Sequence, residues 1–201
     1  MPRKRDKLGD EISQMVEASI LAKARKKAAG EGALPDGVVT IVFTDVEGSS
    51  KLVMNLGETE ARAALRRHDD LVREVLREHD GIEVERAGDA FMLAFRFPTA
   101  AVRFALDLHD RLSSDGDLRV RVGMDTGEVI REEKGYFGRT VFRAARIADL
   151  GQGGQVLASQ STKILAEPGS DARFVDLGEK ELDGLGGSHR VFEVLSPQMP
   201  A

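Results

Sequence analysis

From residue 38 onward the apolar and polar positions change period several times, and each change predicts an element. Val38 to Phe43 is a β-branched run and predicts a strand. Thr59 to His79 switches to helical spacing, with Leu65, Leu71, Val72, Val75 and Leu76 along one stripe. Ile82 to Ala87 and Ala90 to Phe95 are short strands separated only by Gly88-Asp89, a two-residue hairpin signal. Pro98 sits where proline starts a helix, and Val102, Phe104, Ala105, Leu108 and Leu112 continue it. Leu118 to Met124 alternates and predicts a strand; Thr140 to Leu150 predicts a helix. From Gln155 to Leu195 the pattern gives short strands and one short helix. The order β-α-β-β-α-β predicts an α+β fold: a ferredoxin-like, palm-like antiparallel sheet with helices on one face, extended by C-terminal strands.

Before this block, Leu8, Ile12, Met15, Val16, Ile20 and Ala24 fall near helical spacing between basic clusters at Arg3–Arg5 and Lys23–Lys27. Residues 28–37 carry Gly and Pro and read as a linker. The expected organisation is an amphipathic helix and linker over 1–37, a folded α+β domain over 38–196 and a tail over 197–201. Such a helix packs on the domain, pairs with its twin as a stalk, or lies on a membrane surface.

Composition narrows the function. A chain of 201 residues with 41% hydrophobic and 31% charged residues is that of a soluble globular protein. It has no apolar run long enough to span a bilayer and no secretory signal, so a cytoplasmic location is expected. Cysteine is absent, which excludes disulfides and thiolate metal sites. A net charge of −5 argues against a general nucleic-acid binder.

The chemistry gathers at two carboxylates. Asp45 ends the first strand and Asp89 sits at the hairpin tip, so a ferredoxin-like sheet brings both to one end. Adjacent carboxylates repel unless a cation lies between them or one is protonated. Oxygen-only donors select a hard ion such as Mg²⁺ or Mn²⁺, usually shared with phosphate. Gly48-Ser49-Ser50 then opens a helix whose free N–H groups face an anion. Each aspartate alone is equally ordinary turn or capping chemistry; the joint placement points to a metal–triphosphate site. His68, His79, His109 and His189 read as solvated, and Phe91, Met92 and Phe95 as core.

These segments resemble a known family, the class III nucleotidyl cyclases, in its bacterial branch. Phe43 to Ser50 is similar to the first metal motif and Glu85 to Met92 to the second. Arg121 to Gly127 is similar to the central strand and turn, and Tyr136 to Arg146 to the last catalytic segment. The closing Leu182–Leu185 and Val191–Val194 also fit, so the resemblance runs from about 38 to 195.

The resemblance implies that Asp45, Asp89 and the Val46 carbonyl hold two Mg²⁺ or Mn²⁺ ions per site. It makes Gly48, Ser49 and Ser50 the phosphate-holding turn, and Arg146 the cation that neutralises transition-state charge. It also implies ATP or GTP as substrate and a homodimer with two shared sites. Glu85 and Gly135 occupy the base-reading positions. A glutamate there accepts from guanine N1–H and its amino group, which leans towards GTP, whereas bacterial members generally favour ATP. The alternative for Glu85 is an ion pair with Arg86 or Arg73. Phe142 stands where the family has a ribose-orienting asparagine, and Asp183 where a lysine is common. Losing one such oriented contact costs roughly 10²–10³ in rate, so weak turnover is expected. A catalytically silent, nucleotide-binding or dimerising module is the alternative. A diguanylate cyclase does not fit, because its hairpin reads Gly-Gly-Asp-Glu-Phe and this one reads Ala87-Gly88-Asp89-Ala90-Phe91.

Overall fold

The computed structural model describes residues 34–115, 118–133 and 135–197. The expected N-terminal helix and all but Pro197 of the expected tail lie outside the described residues. The elements in order are β1 (Gly37–Val46), α1 (Ser49–Leu56), α2 (Glu58–Glu78), β2 (Ile82–Ala87), β3 (Ala90–Phe95), α3 (Pro98–Asp115), β4 (Val120–Glu132), β5 (Gly135–Phe137), α4 (Arg139–Leu150), β6 (Val156–Ser159), α5 (Gln160–Ala166), β7 (Arg173–Glu181) and β8 (Ser188–Leu195), with a 3₁₀ turn at Glu167–Gly169. One sheet runs in the order β2-β3-β1-β4-β6-β8-β7, with β5 paired on β4. Every pairing is antiparallel except β4 with β6. The fold is the α+β, ferredoxin-like arrangement that the pattern predicts.

The strands alternate, so the sheet has two distinct faces. On one face Val42, Val46, Phe91, Leu93, Phe95, Val122 and Met124 meet Val72, Val75 and Leu76 of α2 and Phe104, Ala105 and Leu108 of α3. Phe95 and Phe104 stack at 5.2 Å between ring centroids. The other face carries a smaller cluster of Val39, Ile41, Val84, Met92, Ala94, Tyr136 and Ala144, the last from α4. Phe91, Met92 and Phe95 are core residues, as expected.

The β2–β3 hairpin forms where Gly88-Asp89 predicts it. Gly88 takes φ 65° at the first central position of the turn, a conformation that strains other residues. In contrast, β4 does not turn at Gly127; it continues to Glu132 and folds back through β5. Gly127 is there for close approach: a Cβ on it would lie 2.7 Å from Thr140 Oγ1 at the start of α4. Gly123 does the same further along the strand, where a Cβ would lie 2.1 Å from the Ala148 backbone nitrogen. Two side-chain-free positions thus let α4 lie directly on β4.

Strand β2 contains a bulge between Glu83 and Glu85, opposite Leu93 and Met92. The extra residue shifts the phase of the strand. Glu83 stays on the α2 face, where it accepts both Nε (2.7 Å) and Nη2 (3.1 Å) of Arg73. Glu85 pairs with Met92 and therefore faces the opposite side, away from α2.

Candidate active site

Strand β1 positions the first aspartate. Thr44 lies opposite Phe91 on β3, and Asp45 lies opposite Arg121 on β4. Asp45 therefore stands one residue past the β1–β3 ladder, and Asp89 two residues before Phe91 on the neighbouring strand. Both sit at the same end of adjacent strands. The Val46 backbone is paired opposite Val120, and its side chain is core. Gly48 follows at φ 68°, its carbonyl accepts the Lys51 N–H at 2.8 Å, and Ser49 and Ser50 open α1. The end of β1 and the hairpin tip thus lie at one end of the sheet, and the Gly48 turn follows Asp45 directly in the chain.

The two carboxylates have different surroundings. Asp45 Oδ2 accepts Nε (2.8 Å) and Nη2 (2.5 Å) of Arg121. Asp89 Oδ2 is buried and has no partner among the described residues. A buried, unpartnered carboxylate oxygen is costly unless a cation supplies the missing interaction. Asp89 thus fits a hard divalent ion, and Asp45, an oxygen donor one strand away, is a suitable second ligand. No cluster of three or more His, Cys, Asp or Glu side chains suited to a metal occurs among the described residues. An ion held by two carboxylates completes its shell with water and phosphate oxygens, as Mg²⁺ usually does.

Glu85 is exposed and forms no ion pair among the described residues, where Arg73 serves Glu83 and Arg86 serves Asp69 (2.5 Å). The alternative reading of Glu85 as half of a structural pair is therefore overturned. Gly135 lies alongside: a Cβ on it would sit 3.2 Å from Val84 Cγ1, next to Glu85. Arg146 on α4 is half-exposed, with Nε donating to the Asp183 carbonyl (3.2 Å) and Nη1 to Asp149 (3.0 Å). No hydrogen bond or ion pair among the described residues joins Arg146 or Glu85 to either aspartate. Phe142 is 47% exposed and packs edge-on against Phe137, with centroids 5.5 Å apart.

Sequence reasoning missed three residues here. Arg121 is the cation beside Asp45, and only the β1–β4 register reveals it. Asp125 is fully buried on β4 and bonded by Arg143 Nη1 at 3.1 Å, which ties α4 to the sheet. Burial pushes the Asp125 carboxyl above the usual carboxylate range, opposed by Ser159, Arg143 and the Thr126 backbone. His68 is 1% exposed, which corrects its reading as solvated. Burial pushes its imidazole below the ordinary histidine value, against Asp69 and Asp89, so it is neutral at pH 7. The signal was present: His68 falls on the same helical stripe as Leu65, Val72 and Val75. His79 is also partly buried, with Nε2 3.0 Å from Asp107.

Known proteins share this architecture. The family model for the adenylate and guanylate cyclase catalytic domain matches residues 33–194. An uncharacterized protein of Mycobacterium tuberculosis is 37% identical over 169 residues, covering 82% of this chain and 58% of the relative. A receptor-type adenylate cyclase of Trypanosoma brucei brucei is 31% identical over 75% of this chain, which spans only 16% of that protein. The solved structure of a Trypanosoma brucei adenylate cyclase in its monomeric state superposes with a TM-score of 0.70 at 26% identity, covering 80% of this chain and 90% of that one. With that family-model match across most of its length, this chain belongs to the adenylate and guanylate cyclase catalytic-domain family.

Proposed function

We propose that this protein is a purine nucleotide cyclase, converting ATP or GTP to a 3′,5′-cyclic nucleotide and pyrophosphate in a homodimer with two shared sites. The observation that carries the reading is the pair Asp45 and Asp89, at one end of adjacent strands, with Asp89 Oδ2 buried and without a partner among the described residues. In the reaction the ribose 3′-oxygen bonds to the α-phosphorus, the bond from that phosphorus to the bridging oxygen of the β-phosphate breaks, and the hydroxyl proton leaves to solvent. Mg²⁺ or Mn²⁺ bound by Asp45, Asp89 and the Val46 carbonyl would polarise the triphosphate and acidify the hydroxyl.

The chain's own groups supply the rest. The N–H groups of Gly48, Ser49 and Ser50 at the start of α1 bind phosphate oxygens. Arg121 already neutralises Asp45, and its half-exposed guanidinium is placed to share its charge with a phosphate. Arg146, supplied by the second subunit, stabilises charge that builds as pyrophosphate departs. To do so it exchanges the Asp149 carboxylate and the Asp183 carbonyl for phosphate oxygens. Glu85, turned onto the Gly135 side by the bulge and paired with no arginine among the described residues, reads the base. Its carboxylate favours guanine, whereas the adenylate cyclases among the relatives favour adenine.

The test is turnover of each nucleotide with Mn²⁺, comparing the chain with Asp45→Ala. Equal product from the two proteins would overturn the reading. Phe142 supports a second reading, a silent module, since an aromatic edge packed on Phe137 offers the ribose no hydrogen bond. Restoring the polar group in Phe142→Asn separates the two: a rise in rate marks a slow enzyme, and no change marks a module without turnover.

A further inference from the structure

Among the described residues, two buried polar atoms near the hairpin tip lack partners: Asp89 Oδ2 and, on α2, His68 Nε2. His68 lies on α2 beside Asp69, with its Nδ1 3.4 Å from Asp69 Oδ1. Asp69 is nearly buried as well, and its other oxygen takes Arg86 at 2.5 Å. Arg86 lies on β2, three residues before Asp89, and its guanidinium rests 5.6 Å from the centre of the Phe91 ring, two residues beyond it. The His68 ring contacts the same Phe91 at 6.0 Å between centroids. One helix therefore grips both strands of the hairpin on either side of its tip, through a carboxylate, a guanidinium and two rings.

Stability alone is a poor explanation for this cluster. Asp69 is nearly buried but Arg86 is 39% exposed, and an ion pair open to solvent at one end contributes little to stability. What a charged and directional clamp adds is orientation of the segment it holds.

We propose that His68, Asp69 and Arg86 form a positioning device for Asp89, fixing the hairpin so that the carboxylate stays aimed at a divalent cation. The inference rests on the reading of Asp89 as a metal ligand. Groups that orient a ligand typically change metal affinity by about 10–100-fold when removed. They act through Asp89 and do not touch the ion.

The experiment titrates Mn²⁺ alone into the full chain and follows loss of the free-ion paramagnetic signal, with thermal midpoints measured in parallel. Asp69→Asn keeps size and shape while removing the charge. Arg86→Gln acts from the half-exposed end of the pair and carries the test if Asp69→Asn does not fold. Glu83→Gln breaks the other ion pair between the same helix and strand, so it reports a merely structural effect. Asp89→Asn removes the ligand itself. The expected result is Mn²⁺ affinity lowered about tenfold or more in Asp69→Asn and Arg86→Gln, unchanged in Glu83→Gln and lost in Asp89→Asn. Turnover in the first two would recover as Mn²⁺ is raised, so the half-saturating metal concentration moves more than the limiting rate. Normal Mn²⁺ affinity in both clamp variants, with loss in Asp89→Asn, overturns the inference and leaves the cyclase reading standing. Equal weakening in Glu83→Gln reduces the clamp to ordinary hairpin stability and overturns it too. Unchanged affinity in Asp89→Asn removes the cation site itself, and both readings fall.

Discussion

The two faces of the sheet differ in how fully each is covered. On the α2–α3 face, phenylalanines and β-branched residues interlock with two long helices, and Phe91, Phe95 and Phe104 are fully buried. On the opposite face α4 covers the middle of the sheet, through close contacts at Gly123 and Gly127. Beyond it, Ile130 and Phe137 on the β4–β5 arm and Phe142 at the start of α4 remain at least 47% exposed, and Glu85 and Arg146 stand towards solvent. The first face holds the larger core; the second, with the β4–β5 arm beside it, keeps charged and apolar groups accessible. In the proposed dimer, the second subunit completes that open face.

This contrast can be broken at several points. The largest effect belongs to the closed face: Phe104→Ala should cost about 3–5 kcal/mol of stability, read by denaturant unfolding. Phe137→Ala, on the exposed β4–β5 arm, should change monomer stability far less and instead weaken self-association, read by sedimentation at several concentrations. A similar loss of stability in both variants would erase the distinction. Next comes the ribose position: Phe142→Asn should raise turnover by about 10²-fold if one oriented hydrogen bond is restored. Glu85→Lys should then shift preference from GTP towards ATP by about tenfold or more, measured as the ratio of kcat/KM for the two nucleotides, because an ammonium donates to adenine N1 where a carboxylate repels it. An unchanged ratio would remove Glu85 from base reading.

The smallest effect is one of pH, on the outer surface of the closed face. Asp107 experiences burial that raises its pKa, but hydrogen bonds from Arg111 and His79 outweigh this and hold it below the usual value. Glu78 is lowered mainly by its hydrogen bond from Arg111. A depressed carboxylate stabilises the fold above its unfolded pKa, and that contribution fades as pH falls through the folded value. The cluster should therefore help at neutral pH and lose its effect in acid, below about pH 4. Stability curves for the chain and for Arg111→Met should converge there; a constant gap would show that Arg111 acts through packing alone.

What the sequence disclosed, and what it withheld, follows the range of each cause. The β2–β3 hairpin was legible because Gly88-Asp89 is local turn chemistry flanked by alternating strands. The placement of Asp45 and Asp89 followed from strand order alone. Gly127 was misread as a turn because its reason lies in Thr140, thirteen residues away in the chain and in another element. Arg121 beside Asp45 and Arg86 beside Asp69 depend on register and helix docking, which no local pattern encodes. The bulge left a trace: Ile82-Glu83-Val84 alternates, then Glu85-Arg86 puts two charges in succession. Reading that break as a phase shift would have placed Glu85 on the open face.

The central claim is that Asp45 and Asp89 jointly hold a divalent cation beneath a nucleotide triphosphate. Crystals grown with Mn²⁺ and a non-hydrolysable triphosphate, measured at the manganese absorption edge, test it most directly. The account predicts anomalous density in contact with oxygens of both carboxylates and with the triphosphate. Density elsewhere, or a triphosphate bound with neither aspartate engaged, would contradict it.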